Sequence, residues 1–150
     1  MKIYVDADAT PKGVKEILYR VAERTGVEMV FVANSYLNLP RLPNLKMLQV
    51  EAGFDVADAR IVELCAAVDL VVTADIPLAA FAVEKGATAL NPRGELYTAD
   101  NIGPILARRN FMDSLRGGLI EEGGGPPAFS AKDREAFANQ LDKFITKAKR

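Results

Sequence analysis

The sequence predicts an α/β fold, a three-layer sandwich on a mainly parallel sheet of about five strands. Three observations lead there. Short apolar runs alternate with amphipathic stretches as far as residue 116. The runs are followed by helix-start signals, not by two-residue hairpin turns, so neighbouring strands need right-handed crossovers. One run, Asp69–Thr73, is continuously apolar between its ends, as in a parallel strand buried on both faces.

The elements follow in order. Lys2–Val5 reads as a strand that ends in Asp6-Ala7-Asp8. Thr10-Pro11 reads as a helix start, with Thr10 as cap and Pro11 at the first helical position. Val14, Ile17, Leu18, Val21 and Ala22 then form one stripe, and Gly26 ends the helix. Glu28–Ala33 is a second strand running into Asn34-Ser35, and Tyr36–Leu45, with Pro40 and Pro43, is a loop. Lys46–Val50 is the third strand. A helix from Phe54-Asp55 to near Ala67 precedes the strand Asp69–Thr73. Asp75-Ile76-Pro77 opens a third helix, ending at Gly86, and Thr88–Leu90 is the fifth strand. After the loop Asn91-Pro92-Arg93-Gly94, Thr98 caps a helix containing Ile102, Ile105 and Leu106 that continues through Phe111–Leu115. Residues 117–128 are a Gly/Pro-rich loop. The last helix, 130–148, opens on Ser130 and carries the stripe Phe137, Leu141, Phe144 and Ile145. Residues 1–150 are expected to form a single domain.

Composition narrows the chemistry. The chain has no histidine and one cysteine, Cys65, which lies in an apolar pattern and reads as a small buried hydrophobe. Ser-His-Asp and Cys-His machinery is excluded, and an intrinsic metal site must be built mostly from oxygen, which selects Mg²⁺, Mn²⁺ or Ca²⁺. A net charge of −1 gives no overall basic field for nucleic acid, although a local patch is open. No stretch approaches the roughly 20 apolar residues of a membrane span. An acidic residue at position 6 arrives too early for a signal peptide, and the cysteine usage fits a reducing cytoplasm.

The carboxylates carry the strongest signal. Ligands of an open parallel sheet bind beyond the C-terminal strand ends. Asp6 and Asp8 follow the first strand, Asp75 follows the fourth, and Asp55 and Asp58 open the helix between the third and fourth. Spacing to Ile61 and Cys65 places Asp58 on the core-facing stripe, where a carboxylate needs a partner or a raised pKa. A divalent cation would relieve the repulsion, and so would Arg60 or Arg93. Two readings stand side by side here. In one, Asp6, Asp8, Asp55, Asp58 and Asp75 ligate Mg²⁺ or Mn²⁺. In the other, Asp8, Asp55 and Asp75 are helix caps and the remaining carboxylates pair with arginine. Thr73 could set a hydroxyl beside a metal or merely end its strand. Asn34 and Ser35 could touch a phosphate or form a turn, and Arg93 could hold a phosphate or pair with an Asp. Arg108, Arg109 and Arg116 could line a basic groove or be a solvated helix face.

Several motifs are familiar. Val5-Asp6-Ala7-Asp8-Ala9-Thr10-Pro11, Gly53-Phe54-Asp55-Val56-Ala57-Asp58, Val72-Thr73-Ala74-Asp75-Ile76-Pro77-Leu78-Ala79 and Leu90-Asn91-Pro92-Arg93-Gly94-Glu95-Leu96-Tyr97-Thr98 resemble the YaiI/YqxD family of uncharacterised bacterial proteins. So do Arg109-Asn110-Phe111-Met112-Asp113 and Phe137-Ala138-Asn139-Gln140-Leu141. Thr10 departs from that pattern, which usually shows Cys there, so a thiol role at this position does not carry over. More distantly the family is similar to PIN-like and NYN nuclease domains. Asp6, Asp55 and Asp75 match the strand-end Asp, the Val-Asp helix start and the Ser/Thr-x-Asp of those domains. The resemblance implies a PIN-like fold in which these three are catalytic carboxylates holding Mg²⁺ or Mn²⁺ for phosphodiester hydrolysis.

The expected function is therefore a metal-dependent nuclease, with RNA as partner and Thr73, Asn34, Ser35 and Arg93 around the substrate. The alternative on the same fold is a non-catalytic RNA- or nucleotide-binding module. A third reading, a haloacid-dehalogenase-type phosphatase, uses Asp6 as nucleophile and Asp8 as acid/base in Asp6-Ala7-Asp8-Ala9-Thr10. Against it, Pro11 starts a helix where a flap is needed, and Asp55 and Asp58 lie upstream of the Thr73 strand. No membrane partner is expected, and the oligomeric state is open.

Overall fold

In the computed structural model the chain is described over residues 1–53, 56–116 and 129–148. Its central strand, β1 (Lys2–Asp6), is buried from Ile3 onward, so its residues must suit two cores at once. Ile3 and Val5 pack on one face with Val14, Leu18 and Val21, and Tyr4 packs on the other with Ile61, Leu78 and Ala82. This alternation is the pleat of the strand expressed as two hydrophobic layers. A single 3₁₀ turn, Ala7–Ala9, leads from β1 into α1 (Lys12–Thr25). Helix α1 ends at Gly26 with φ 75°, and the Gly26 N–H donates to the Ala22 carbonyl.

The sheet order is β3-β2-β1-β4-β5-β6. Beyond β1 it comprises β2 (Glu28–Ala33), β3 (Leu45–Gln49), β4 (Leu70–Val72), β5 (Thr88–Leu90) and β6 (Leu96–Tyr97). The first five strands are parallel and β6 is antiparallel to β5. The two-residue β6 was not expected, because so short a strand has no periodicity to read. Helices α2 (Val56–Leu64), α3 (Ile76–Glu84) and α4 (Ile102–Arg116) supply Ile61, Leu78, Ala82 and Ile102 to one hydrophobic layer. Helix α1 and α5 (Ala131–Ala148) supply the other, where Phe137, Leu141 and Ile145 of α5 are buried. The expected three-layer α/β sandwich is therefore present. No described helix is long and apolar enough to cross a membrane.

Local chemistry accounts for the helix boundaries. Asp75 caps α3 by accepting the Leu78 N–H at 3.0 Å, with Pro77 in the first turn. Ser130 and Asp133 cap α5 reciprocally: each backbone N–H donates to the other's side chain, at 3.0 and 3.2 Å. Helix α2 is shorter than expected, ending at Leu64 and leaving Cys65 just beyond it, buried as a free thiol. Residues 54 and 55, 117–128 and 149–150, and with them Asp55 and the Gly/Pro-rich loop, lie outside the described residues.

The order of the strands positions everything that follows. From β1 the chain winds outward to β2 and β3, then returns to the other side of β1 to lay down β4 and β5. The winding direction reverses between β1 and β4, so the connections leaving these two strands part to opposite faces and leave a crevice at their C-terminal ends. Asp6 ends β1, and Thr73 and Asp75 directly follow β4.

Candidate carboxylate site

The crevice is built from the end of β1. The Thr10 hydroxyl donates to the Asp6 carbonyl at 2.7 Å, and the Thr10 N–H donates to the Ala7 carbonyl at 3.3 Å. Thr10 was expected to cap α1. Its hydroxyl is instead spent on the tight turn, and Pro11 holds the cap position with its carbonyl accepting from Val14 and Lys15.

The turn fixes the Asp6 side chain, which is only 5% exposed. Asp6 Oδ2 accepts from the Thr73 hydroxyl at 2.9 Å. The same Thr73 oxygen accepts the Asp75 N–H at 3.0 Å, and Asp75 Oδ1 accepts the Leu78 N–H. A continuous chain thus runs from the end of β1, through a fully buried threonine after β4, to the first turn of α3. The spacing of Thr73 and Asp75 makes this possible: two residues place a hydroxyl under the N–H of the residue that caps the next helix.

Burial pushes the Asp6 carboxyl above the ordinary carboxylate range, the Thr73 hydrogen bond opposes the shift, and the nearby charges of Asp75 and Asp8 add to it. Asp6 Oδ1 has no hydrogen bond among the described residues. Since no buried side-chain oxygen among the described residues is left without a partner, this atom is accessible at the surface.

Asp8 is exposed, and its Oδ2 accepts the Asn34 N–H at 2.8 Å from the end of β2. Ser35 donates to the Asn34 side chain at 3.4 Å, so both residues border Asp8. Asp58 was placed on the core-facing stripe of its helix. It is instead half-buried in the first turn of α2, while Ile61 one turn on is fully buried. There it lines a groove of about 470 Å³ together with Val62, Asp75, Leu78, Phe81 and Arg109. Arg93 pairs with Asp133 of α5 at 2.7 Å, and Arg60 pairs with Glu63. The structure therefore brings Asp6, Thr73 and Asp75 together, sets Asp8 with Asn34 and Ser35 alongside, puts Asp58 across the groove, and ties Arg93 to the C-terminal helix.

Sequence reading did not single out Phe81. Helix α3 reads Ile76-Pro77-Leu78-Ala79-Ala80-Phe81-Ala82-Val83, apolar on every side, so no stripe distinguishes the one large residue left 57% exposed. Arg109 was expected either to line a basic groove with Arg108 and Arg116 or to be part of a solvated helix face. It is exposed on α4, paired with Asp113, and borders a groove whose other charged lining residues are Asp58 and Asp75.

The raised Asp6 pKa predicts a pH dependence. Between the unfolded carboxylate pKa and the higher folded one, the folded chain holds a proton that the unfolded chain has lost. Stability therefore falls as pH rises through that window. Asp6→Asn is expected to raise the unfolding temperature in chelator at pH 7. A gain of about 1 kcal/mol corresponds to roughly 2–4 °C for a chain of this size. The gain should vanish below the ordinary carboxylate pKa, where both proteins are neutral at this position. A pH series of thermal melts checks it, and a loss of stability at pH 7 overturns it.

Residues 4–147 match the model of the family described as "Uncharacterized BCR, YaiI/YqxD family". A UPF0178 protein of Maridesulfovibrio salexigens is 60% identical over 149 residues, covering 99% of this chain and 97% of that one. One of Desulfotalea psychrophila is 57% identical over 147 residues, covering 98% and 99%. One of Thioalkalivibrio sulfidiphilus is 56% identical over 147 residues with the same coverage. A family model spanning nearly the whole chain and relatives sharing more than half of its residues agree: the chain belongs to the YaiI/YqxD family.

Proposed function

We propose that the protein is a Mg²⁺- or Mn²⁺-dependent nuclease acting on RNA. The observation that supports this most is Asp6, a nearly buried carboxylate near the charges of Asp75 and Asp8, with one oxygen held by Thr73 and the other accessible at the surface. Each of the three commits one oxygen to the fold and keeps one without a hydrogen bond among the described residues. Such a donor set, all oxygen and mutually repelling, suits a hard divalent cation. Among the described residues no three carboxylates or thiols stand close enough to enclose one; of the two other candidate ligands, Asp58 stands across the groove and Asp55 lies outside the described residues.

The ion, when bound, supplies Lewis acidity toward a phosphate and ionises water at neutral pH, a role the chain's missing histidine cannot take. The protein's own contribution is positional. Thr73 fixes the Asp6 carboxylate, and the helix cap fixes Asp75, so neither has to be ordered when a cation arrives. Asn34 and Ser35, beside Asp8, face the same edge and offer neutral groups to a phosphate.

The test uses the wild-type protein. Stoichiometric Mn²⁺ binding by calorimetry is expected, together with a rise in unfolding temperature. A ligand at 100 times its dissociation constant adds about 2.7 kcal/mol to a native-only site. Purified protein is expected to cut single-stranded RNA in Mn²⁺ and not in chelator. RNA and DNA left intact in both metals, despite tight RNA binding, turns the reading to a non-catalytic binding module. A melting temperature indifferent to millimolar metal removes the cation site.

A further inference from the structure

We infer that the groove between α2, α3 and α4 seats one unpaired nucleobase, with the Phe81 ring as its stacking surface and Arg109 as the contact to the adjoining phosphate. The inference rests on the proposed nuclease reading and deepens it, since it makes the substrate single-stranded at the nucleotide beside the carboxylates.

Four features carry it. The groove, about 470 Å³, is in the range of small-molecule sites, roughly 300–1,000 Å³, and suits one base and its sugar. Its walls are largely apolar: Val62 from α2, with Leu78 and Phe81 from α3. Phe81 is one helical turn from Leu78 on the same face, and over half of its surface is bare while Leu78 beneath is buried. An open aromatic face over a closed aliphatic floor is what a base needs in order to stack, and every base has a π-face to offer.

The groove carries mixed charge, with Asp58 and Asp75 lining it beside Arg109. Asp75, hydrogen-bonded through Thr73 to Asp6, lines the groove, so a nucleotide seated there presents its phosphate to the carboxylate crevice. Arg109 lines the groove from α4 and is the cation among its lining residues. It pairs with Asp113 one turn along at 3.2 Å, with both side chains over 40% exposed. A surface ion pair of this kind is weak and exchanges for a phosphate at little cost. A stacked duplex keeps its bases inside and cannot fill the groove unless one is extruded.

The experiment measures binding separately from cleavage. Wild-type protein in chelator is titrated into a short fluorescent single-stranded RNA and into the same RNA annealed to its complement, with anisotropy as the readout. Single strand is expected to bind more tightly than duplex. Phe81→Ala should weaken single-strand binding about 5- to 150-fold, the range for loss of one base–aromatic stack, and Phe81→Tyr should retain it. Arg109→Gln should weaken binding more uniformly and flatten its salt dependence. Because neither side chain is part of the buried core, the melting temperature of each variant should match the wild type. Binding unchanged in Phe81→Ala and in Arg109→Gln, or equal affinity for duplex and single strand, overturns the inference. Cleavage that persists with Phe81-independent binding discards the groove and leaves the nuclease reading standing. Phe81-dependent binding by a protein that cuts nothing sustains the groove and discards the nuclease.

Discussion

In Mn²⁺, Asp6→Asn and Asp75→Asn are each expected to reduce RNA cleavage by more than the roughly 10–100-fold lost when only a supporting residue around a metal is altered. Both should leave the fold intact. Asparagine keeps the size of the side chain and an accepting oxygen, so at position 75 it can still take the Leu78 N–H and cap α3 about as well as aspartate does. The Asp75 N–H that donates to Thr73 belongs to the backbone and survives the change. At position 6 an amide oxygen can still accept from the Thr73 hydroxyl. What disappears is the negative charge that a divalent cation requires. Cleavage by Asp75→Asn at the wild-type rate, with unchanged Mn²⁺ affinity, reduces Asp75 to a cap and ends the catalytic reading of the trio. The expected stabilisation of Asp6→Asn sharpens the contrast: the variant that cuts least should be the metal-free protein that melts highest.

The largest effect on stability is expected at Gly94, in the loop after β5. Its φ is +94°, a left-handed conformation that side chains rarely adopt. A Cβ there would lie 2.7 Å from both the carbonyl carbon and the Cβ of Ala136, and 2.9 Å from the Ala136 oxygen. These are mostly backbone atoms of α5 and cannot swing aside, so helix and loop must separate. Nearby, Arg93 is anchored to Asp133, so the separation strains an ion pair and the start of α5 as well. Gly94→Ala is expected to cost about 3 kcal/mol, combining overpacking with backbone strain. That corresponds to a fall of roughly 6–12 °C in unfolding temperature for a chain of this length. Gly26→Ala is the control, because Gly26 has φ +75° with no atom of the described residues within 4 Å of its Cβ position. It should cost only about 1–2 kcal/mol from the left-handed backbone. Equal losses at the two positions, in thermal or urea melts, sink the close-approach explanation.

How much of this could be read in the sequence depended on whether a pattern was local. The parallel strands, the stop at Gly26, the cap at Asp75 and the buried stripe of α5 are written in adjacent residues, and they stand where they were expected. Thr10 misled because a threonine before a proline suits two hydrogen bonds, and the acceptor that won, the Asp6 carbonyl, lies upstream in the turn. Asp58 misled because a stripe fixes which residues share a face and not how the helix is rolled against its neighbours. The two-residue β6 exists only through its pairing with β5. The groove is harder still, since Val62, Phe81 and Arg109 come from three helices and meet only through tertiary packing.

The Asp6–Thr73 bond also has a bearing on how the chain reaches its native state. It joins residues 67 apart, as does the pairing of Ile3 with Leu70 that lays β1 against β4. By contrast β1, α1 and β2 are consecutive, and their pairing of Lys2 with Glu28 closes a far shorter loop. Loop closure grows costlier with separation, and contacts between distant residues slow the search for the native state. The first half of the sheet can therefore assemble around β1 while its other edge is still bare. The crevice comes into being only when β4 docks on that edge, so the carboxylates gather in the same step that commits the two halves of the chain to each other.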